Sequence, residues 1–135
     1  MEVFCLEDFK KEVEKLSKNN SYGTLEPELI AYFFNKTIDE LRNGTILNNS
    51  LENAFIKKRL EGSGGFRVYY YLIIRKGCLY LMYVHPKTGK YGCDNISPKE
   101  KKDLLKKVIE AITTNNLYLV TPDRTNTKLI FKERQ

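Results

Sequence analysis

The amino-acid sequence predicts a single α+β domain in which helices pack on an antiparallel sheet. Two amphipathic helical patterns occupy the first third of the chain, three β-type runs follow between Ala54 and Val84, and a strongly capped helix comes after them. A chain of 135 residues can bury a core without a metal or disulfides. We therefore expect one domain over residues 1–135, with residues 113–135 a possible C-terminal extension.

The N-terminal part predicts one strand and two helices. Glu2–Leu6 is a short β-branched and aromatic run that is typical of a strand. Asp8 then caps a helix, because apolar residues recur after it at helical spacing. A second helix has Pro27 in its first turn and ends at Gly44, with its apolar side chains on one side.

The middle of the chain predicts a three-stranded meander. Its strands are expected at Ala54–Leu60, Phe66–Arg75 and Cys78–Val84, joined by short turns that contain glycine. The second strand shows no polar alternation, which indicates a central strand covered on both faces. We expect the N-terminal strand to join this antiparallel meander and the helices to cover one face of the sheet.

The last third predicts a helix and an ambiguous tail. Ser97, Pro98 and Glu100 form a capping box with proline at the first helical position. Two short apolar runs then follow, 117–120 and 129–131, separated by a turn-rich segment. They can pair as a terminal hairpin, but a frayed tail has the same sequence character.

Charge is distributed unevenly along the chain. Residues 1–54 contain six Lys or Arg and ten Asp or Glu, whereas residues 55–135 contain seventeen basic and seven acidic residues. Segregation on this scale indicates that one part of the surface binds a polyanion, and nucleic acid is the usual one in a cytoplasm. A generally basic, solvated surface is the alternative.

Other classes of protein are disfavoured by composition. Cys5, Cys78 and Cys93 are odd in number and irregularly spaced, so we expect free thiols and no disulfide framework or zinc site. A lone histidine cannot build a metal site, and we expect no cofactor. No apolar stretch approaches the length of a membrane span, and the acidic N-terminus lacks the pattern of a secretory signal. We therefore expect a cytoplasmic protein that does not bind a membrane.

A basic cluster at the first turn of the meander is the main functional candidate. Lys57, Lys58 and Arg59 precede a glycine-rich turn, and Arg67 follows it. If the turn closes a hairpin, four cations share a small surface with only Glu61 among them. Strand alternation puts Lys57 and Arg59 on one face and Lys58 on the other, but the sequence does not show which face holds the site.

Three blocks in this region resemble a known family. They are Lys57–Leu60 before the glycine turn, Gly64–Tyr70 with its Gly-Gly-aromatic-Arg-Val pattern, and Leu79–Lys87 leading to Asn95-Ile96-Ser97. Together they make residues 55–112 similar to the RelE/HigB-type toxins of bacterial type II toxin-antitoxin systems. Residues 19–54 are longer than in the usual member, and the tail after Thr113 is extra.

The resemblance implies a RelE/ParE-like fold and an endoribonuclease (mRNA interferase) that cuts mRNA, often on the ribosome, and is neutralised by a protein antitoxin. Metal-free cleavage needs a base for the 2′-hydroxyl, charge stabilisation at phosphate and an acid for the leaving oxygen. The catalytic candidates are Lys57, Lys58, Arg59, Arg67, His85 and Lys87, and the RNA-binding candidates are Lys90 and Tyr91. Arg67 matches the strand arginine of the family and is expected to hold the scissile phosphate.

Two alternatives to catalysis remain open at this stage. ParE-like relatives keep the fold but inhibit DNA gyrase without cutting RNA, and an RNA-binding or inactive relative is also compatible with the sequence. If there is an antitoxin, we expect its acidic helix to dock on the basic strands.

Overall fold

The computed structural model describes residues 1–62, 65–87 and 95–134. The strands in this part of the chain are β1 (Glu2–Cys5), β2 (Thr45–Ile46), β3 (Asn53–Arg59), β4 (Phe66–Ile73), β5 (Cys78–Pro86), β6 (Tyr118–Pro122) and β7 (Leu129–Glu133). The helices are α1 (Glu7–Ser17), α2 (Leu25–Phe33), α3 (Ile38–Leu41) and α4 (Pro98–Thr114), with a 3-10 turn at Asn20–Tyr22. The α+β class is confirmed.

All seven described strands form one sheet in the order β2-β3-β4-β5-β1-β6-β7. The β3-β4-β5 meander is antiparallel, as predicted. The expectation that the N-terminal strand joins the meander in an antiparallel sheet is wrong, because β1 pairs with the meander strand β5 in parallel, with Val3 beside Leu79. A parallel pair needs a long crossover, and the helices and the first two meander strands supply it. The sheet is therefore larger than the predicted strand plus meander.

Helices cover both faces of the sheet, which corrects the prediction of one covered face. Side chains of α1 and α2 pack on one face in a core that includes Tyr70. Side chains of α4 pack on the other face in a core that includes Tyr69. Both tyrosines are fully buried. The lack of polar alternation in β4 has this cause, since neither side of the strand meets water.

The predicted second helix is two helices. α2 ends at Phe33, and α3 begins after Thr37, whose side chain and that of Glu40 form a reciprocal capping box. This Thr-x-x-Glu pattern is visible in the sequence and marks a new helix start inside the apolar pattern. The first helix also begins differently from the prediction: Leu6 is the N-cap residue, and Asp8 lies in the first turn, where a carboxylate favours the helix dipole.

The C-terminal runs form the hairpin that was one of the two alternatives. β6 pairs with β7, and it also pairs with β1, so the hairpin extends the sheet. The buried Glu26 of α2 anchors the hairpin by accepting hydrogen bonds from the Leu129 amide at 2.7 Å and from Ser17 Oγ at 2.8 Å. A carboxylate that receives these donors joins α1, α2 and β7 into one unit. Among the helices described here, none has both the length and the apolar character that crossing a bilayer requires.

Candidate anion-binding site

The register of the meander brings the predicted basic residues together. In the sheet, Arg67 of β4 lies between Arg59 of β3 and His85 of β5. Two pairs further along, Tyr69 lies beside Lys57. Every second residue of a strand points to the same face of the sheet, and directly paired residues share a face. The α4 face therefore carries Lys57, Arg59, Arg67 and Tyr69. The register of β4 against β5 shifts just after Tyr69, and such bulges often adjust side-chain direction near functional sites.

Arg67 is a buried cation that has no carboxylate partner in the part of the chain that the structure describes. Arg67 is only 8% exposed, and its Nη1 donates a hydrogen bond to the Gly65 carbonyl at 3.2 Å. None of the ion pairs formed among the described residues includes Arg67. Burying a charge without a counter-charge is costly, and the remaining guanidinium donors suit an anion with two oxygens. Arg67 is therefore prepared to receive an anionic group from outside.

Lys57 lies beside Arg67 at the N-terminal end of α4. Its ammonium group donates to the side-chain oxygen of Asn95, two residues before the Ser97 cap. The pKa of Lys57 is lowered, first by desolvation and then by the cations of Arg67 and Lys101. Burial is thus the larger cause, and repulsion from the neighbouring cations acts in the same direction.

His85 is held in the floor of the site. It is 2% exposed, its Nδ1 lies 3.0 Å from the Pro86 carbonyl, and its Nε2 lies 3.3 Å from the hydroxyl of Tyr69. Burial lowers the pKa of His85, and the nearby cations of Arg67 and Lys57 act in the same direction against the Pro86 carbonyl. The ring is therefore neutral at pH 7, with Nδ1 donating to Pro86 and Nε2 accepting from Tyr69. Both ring nitrogens are already engaged, which suits a positioning role better than direct proton transfer.

The first turn of α4 completes the site. The amide of Ile96 approaches the Tyr69 hydroxyl at 3.5 Å, and the preceding residue holds Lys57. The N-terminal end of the helix therefore lies at the same place as the two cations, and its dipole adds positive potential there. The only carboxylate of the turn, Glu100, is occupied by the Ser97 amide in the capping box. Positive charge consequently dominates this corner of the sheet.

The remaining sequence candidates are distributed around this corner. Lys87 is exposed, and its backbone amide donates to the same Gly65 carbonyl that accepts from Arg67, so Lys87 borders the site. Arg59 is exposed at the end of β3. Lys58 points to the opposite face, where its ammonium group lies 5.6 Å from the centroid of the Tyr32 ring. Its predicted membership of the cluster is therefore not supported by the geometry.

Two predicted residues cannot be compared with the structure, and three residues at the site were not predicted. Lys90 and Tyr91 lie outside the described residues. Tyr69, Asn95 and Lys101 contribute to the site but were not predicted. Tyr69 shares the strand parity of Arg67, which is a sequence signal, whereas Asn95 and Lys101 reach Lys57 only through the docking of α4.

Chemically, the arrangement can grip a phosphate and can offer a lysine with a lowered pKa beside it. In the three described ranges, no group of three His, Cys, Asp or Glu residues is close enough together to hold a metal ion. In comparisons with known proteins, no family model and no curated protein matches the chain.

Proposed function

We propose that this chain is an endoribonuclease that binds a phosphate of single-stranded RNA at Arg67 and cleaves beside it. The observation that carries the proposal is the buried Arg67 guanidinium, which has no carboxylate partner among the described residues and lies next to Lys57 and the N-terminal end of α4. A folded protein gains no stability from such a group, so a bound anion is its most economical explanation. The resemblance of residues 55–112 to RelE/HigB-type toxins supports RNA as that anion.

The proposed reaction is attack of a ribose 2′-hydroxyl on the adjacent phosphorus. The 2′-oxygen forms a bond to phosphorus, the bond to the 5′-oxygen breaks, and the products are a 2′,3′-cyclic phosphate and a 5′-hydroxyl. The neutral amine of Lys57 takes the 2′-hydroxyl proton, and Arg67 stabilises the charge on the phosphoryl oxygens. Lys87 is the candidate for protonating the 5′-oxygen, while His85 keeps Tyr69 and the floor of the site in place.

The wider biological setting is proposed from the resemblance and the charge pattern. The substrate is then mRNA, cut on the ribosome in the cytoplasm. A protein antitoxin with an acidic helix would silence the site by covering its cations, since the same charges attract both partners.

The test is cleavage of a labelled single-stranded RNA by the purified chain and matched variants. We expect Arg67→Met and Lys57→Met each to lower the cleavage rate by about 100-fold or more, the usual scale for removing a charge-stabilising or proton-transferring group. Arg75→Met and Lys106→Met remove the same side chains from exposed positions and serve as controls. Product analysis should detect the cyclic phosphate. Cleavage by Arg67→Met at the wild-type rate would show that the site has been assigned incorrectly.

A second candidate function is RNA binding or gyrase inhibition without catalysis. The engagement of both His85 nitrogens favours it, because the site then presents no histidine for proton transfer. Intact RNA that is nevertheless bound, with loss of binding in Arg67→Met, would indicate an RNA-binding protein. Inhibited DNA supercoiling with transcripts left intact would indicate the ParE-like alternative.

A further inference from the structure

A second cavity lies on the opposite face of the sheet, between α2, α3 and the end of β3. Its volume is about 490 Å³, which is in the range of small-molecule and nucleotide sites. The lining residues that matter for recognition are Tyr32, Lys36, Glu40 and Lys58, and Arg59 borders the cavity at the edge of the sheet. This face is separated from the Arg67 site by the thickness of the sheet.

The cavity contains cations that form no ion pair with a described carboxylate. Lys36, Lys58 and Arg59 take part in none of the ion pairs formed among the described residues. The ammonium groups of Lys36 and Lys58 lie 5.2 and 5.6 Å from the centroid of the half-buried Tyr32 ring. Two ammonium groups at one ring repel each other, although each is attracted to the ring face. An anion between them would relieve that repulsion.

Three acidic residues line the cavity, Glu28, Glu40 and the exposed Glu61, and the first two are engaged or covered. Glu40 uses its carboxylate to accept from the Thr37 amide and hydroxyl in the cap of α3. The Glu28 carboxylate oxygens are buried under Gly62, where they have no hydrogen-bond partner among the described residues. The Thr37 hydrogen bonds lower the pKa of Glu40 and the Lys36 cation lowers it further, so Glu40 offsets part of the Lys36 charge without forming an ion pair with it. The cavity offers a phosphate two or three cations and offers a flat ring an aromatic neighbour, a combination that suits a nucleotide.

The edge of β3 connects this cavity to the Arg67 site. β2 covers that edge only at Ile56 and Lys57, so the edge is not paired with β2 at the two residues that follow. Arg59 lies there, pairs with Arg67 in the sheet register and also borders the cavity. A continuous line of cations thus leads from the buried guanidinium around the end of β3 to Lys36.

We propose that an RNA strand held at Arg67 passes around the end of β3 and places a flanking nucleotide in the Tyr32–Lys36–Lys58 cavity. The phosphate contacts Lys36 and Lys58, and the base or ribose lies against Tyr32. This proposal rests on RNA binding at Arg67, but it does not require that the RNA be cut. Its consequence is a footprint longer than the scissile dinucleotide.

The experiment compares two RNA probes and four variants. A dinucleoside monophosphate has a single phosphate and reaches only the Arg67 site, whereas an RNA of about ten nucleotides can occupy both sites, consistent with single-strand footprints of about 4–16 nucleotides. Tyr32→Leu should weaken the long RNA by roughly five- to a hundred-fold, the effect of losing one stacked base. Lys36→Met should lower the magnitude of its salt slope by about 0.7. Tyr32→Phe keeps the ring, and Lys106→Met removes a distant charge, so both should bind like the wild type.

The outcomes separate this inference from the proposed cleavage. Affinity for the dinucleoside monophosphate should be the same in wild type and in Lys36→Met. Equal binding of the long RNA by wild type, Tyr32→Leu and Lys36→Met would overturn the cavity assignment, whether or not the RNA is cut. AMP that binds as tightly as the long RNA would overturn the strand path, because the cavity would then hold a free nucleotide. If the wild-type protein binds the long RNA through the cavity without cutting it, the proposed cleavage is rejected and the cavity assignment stands.

Discussion

Replacing Arg67 with methionine should make the protein more stable while it removes anion binding. The guanidinium is buried, belongs to no described ion pair and lies directly opposite Arg59 in the sheet, where like charges are unfavourable. Methionine has a similar length and carries no charge. Replacing buried charged groups with apolar side chains is often neutral or stabilising by about 1–4 kcal/mol.

The cost of the substitution is small because of the way Gly65 is bonded. Arg67 gives up one hydrogen bond to the Gly65 carbonyl, but that oxygen still accepts from the Lys87 amide at 3.2 Å. No buried acceptor is therefore left without a donor, and the larger penalty for an unsatisfied group does not arise. We expect a net gain of about 1–2 kcal/mol in the free energy of unfolding, which corresponds to a rise in Tm of roughly 3–10 °C for a chain of this size.

Thermal unfolding with and without inorganic phosphate measures both effects. Phosphate at about 100 times its Kd should stabilise the wild type by about 2.7 kcal/mol and should not stabilise Arg67→Met. Arg75→Met, at an exposed position near the other end of β4, should change stability by no more than about 0.5 kcal/mol. A fall in Tm for Arg67→Met, with phosphate still protecting the variant, would refute the interpretation of Arg67 as an unneutralised anion receptor.

Two further predictions concern proton transfer and the C-terminal hairpin. Lys101→Met removes a cation that lowers the pKa of Lys57, so that pKa should rise toward 10.5. The rising limb of the pH–rate profile for cleavage should then move to higher pH. A profile that matches that of Lys106→Met would argue against Lys57 as the base. Glu26→Ala leaves the buried Leu129 amide without its acceptor and should lower the free energy of unfolding, measured in denaturant, by about 2–3 kcal/mol. Lys128→Met removes only the exposed ion-pair partner of Glu26 and should cost less than about 1 kcal/mol. Equal effects of the two substitutions would show that the Leu129 amide is not the anchor.

The local elements of the fold could be predicted because short-range physical chemistry specifies them. The capping box at Ser97 marked the start of α4, and the apolar run from Phe66 marked a strand that is buried on both faces. The error in the second helix also has a local origin, since the cap at Thr37 lies inside an apolar pattern that continues through it. Elements with a strong local signal were therefore predictable to within a few residues.

The way in which elements meet could not be predicted in the same manner. The parallel pairing of β1 with β5 and the placement of α4 on the second face depend on contacts between residues far apart in the chain. The hairpin differs from a frayed tail in having a buried hydrogen bond from the Leu129 amide to Glu26, two residues that lie 103 positions apart in the sequence. No local pattern carries information about such a contact.

For the candidate site, the sequence by itself determined the inventory of cations and the alternation that separates Lys57 from Lys58. Alternation is a property of any strand, so it needed no tertiary information. Only the tertiary structure decided that Arg67 is buried without a described carboxylate beside it, that Lys57 meets the start of α4, and that Lys58 belongs to a cavity on the other face. The physical reason is that burial and the distances between charges arise from packing, and packing sets both the cost of an unpaired cation and the pKa of a neighbouring amine.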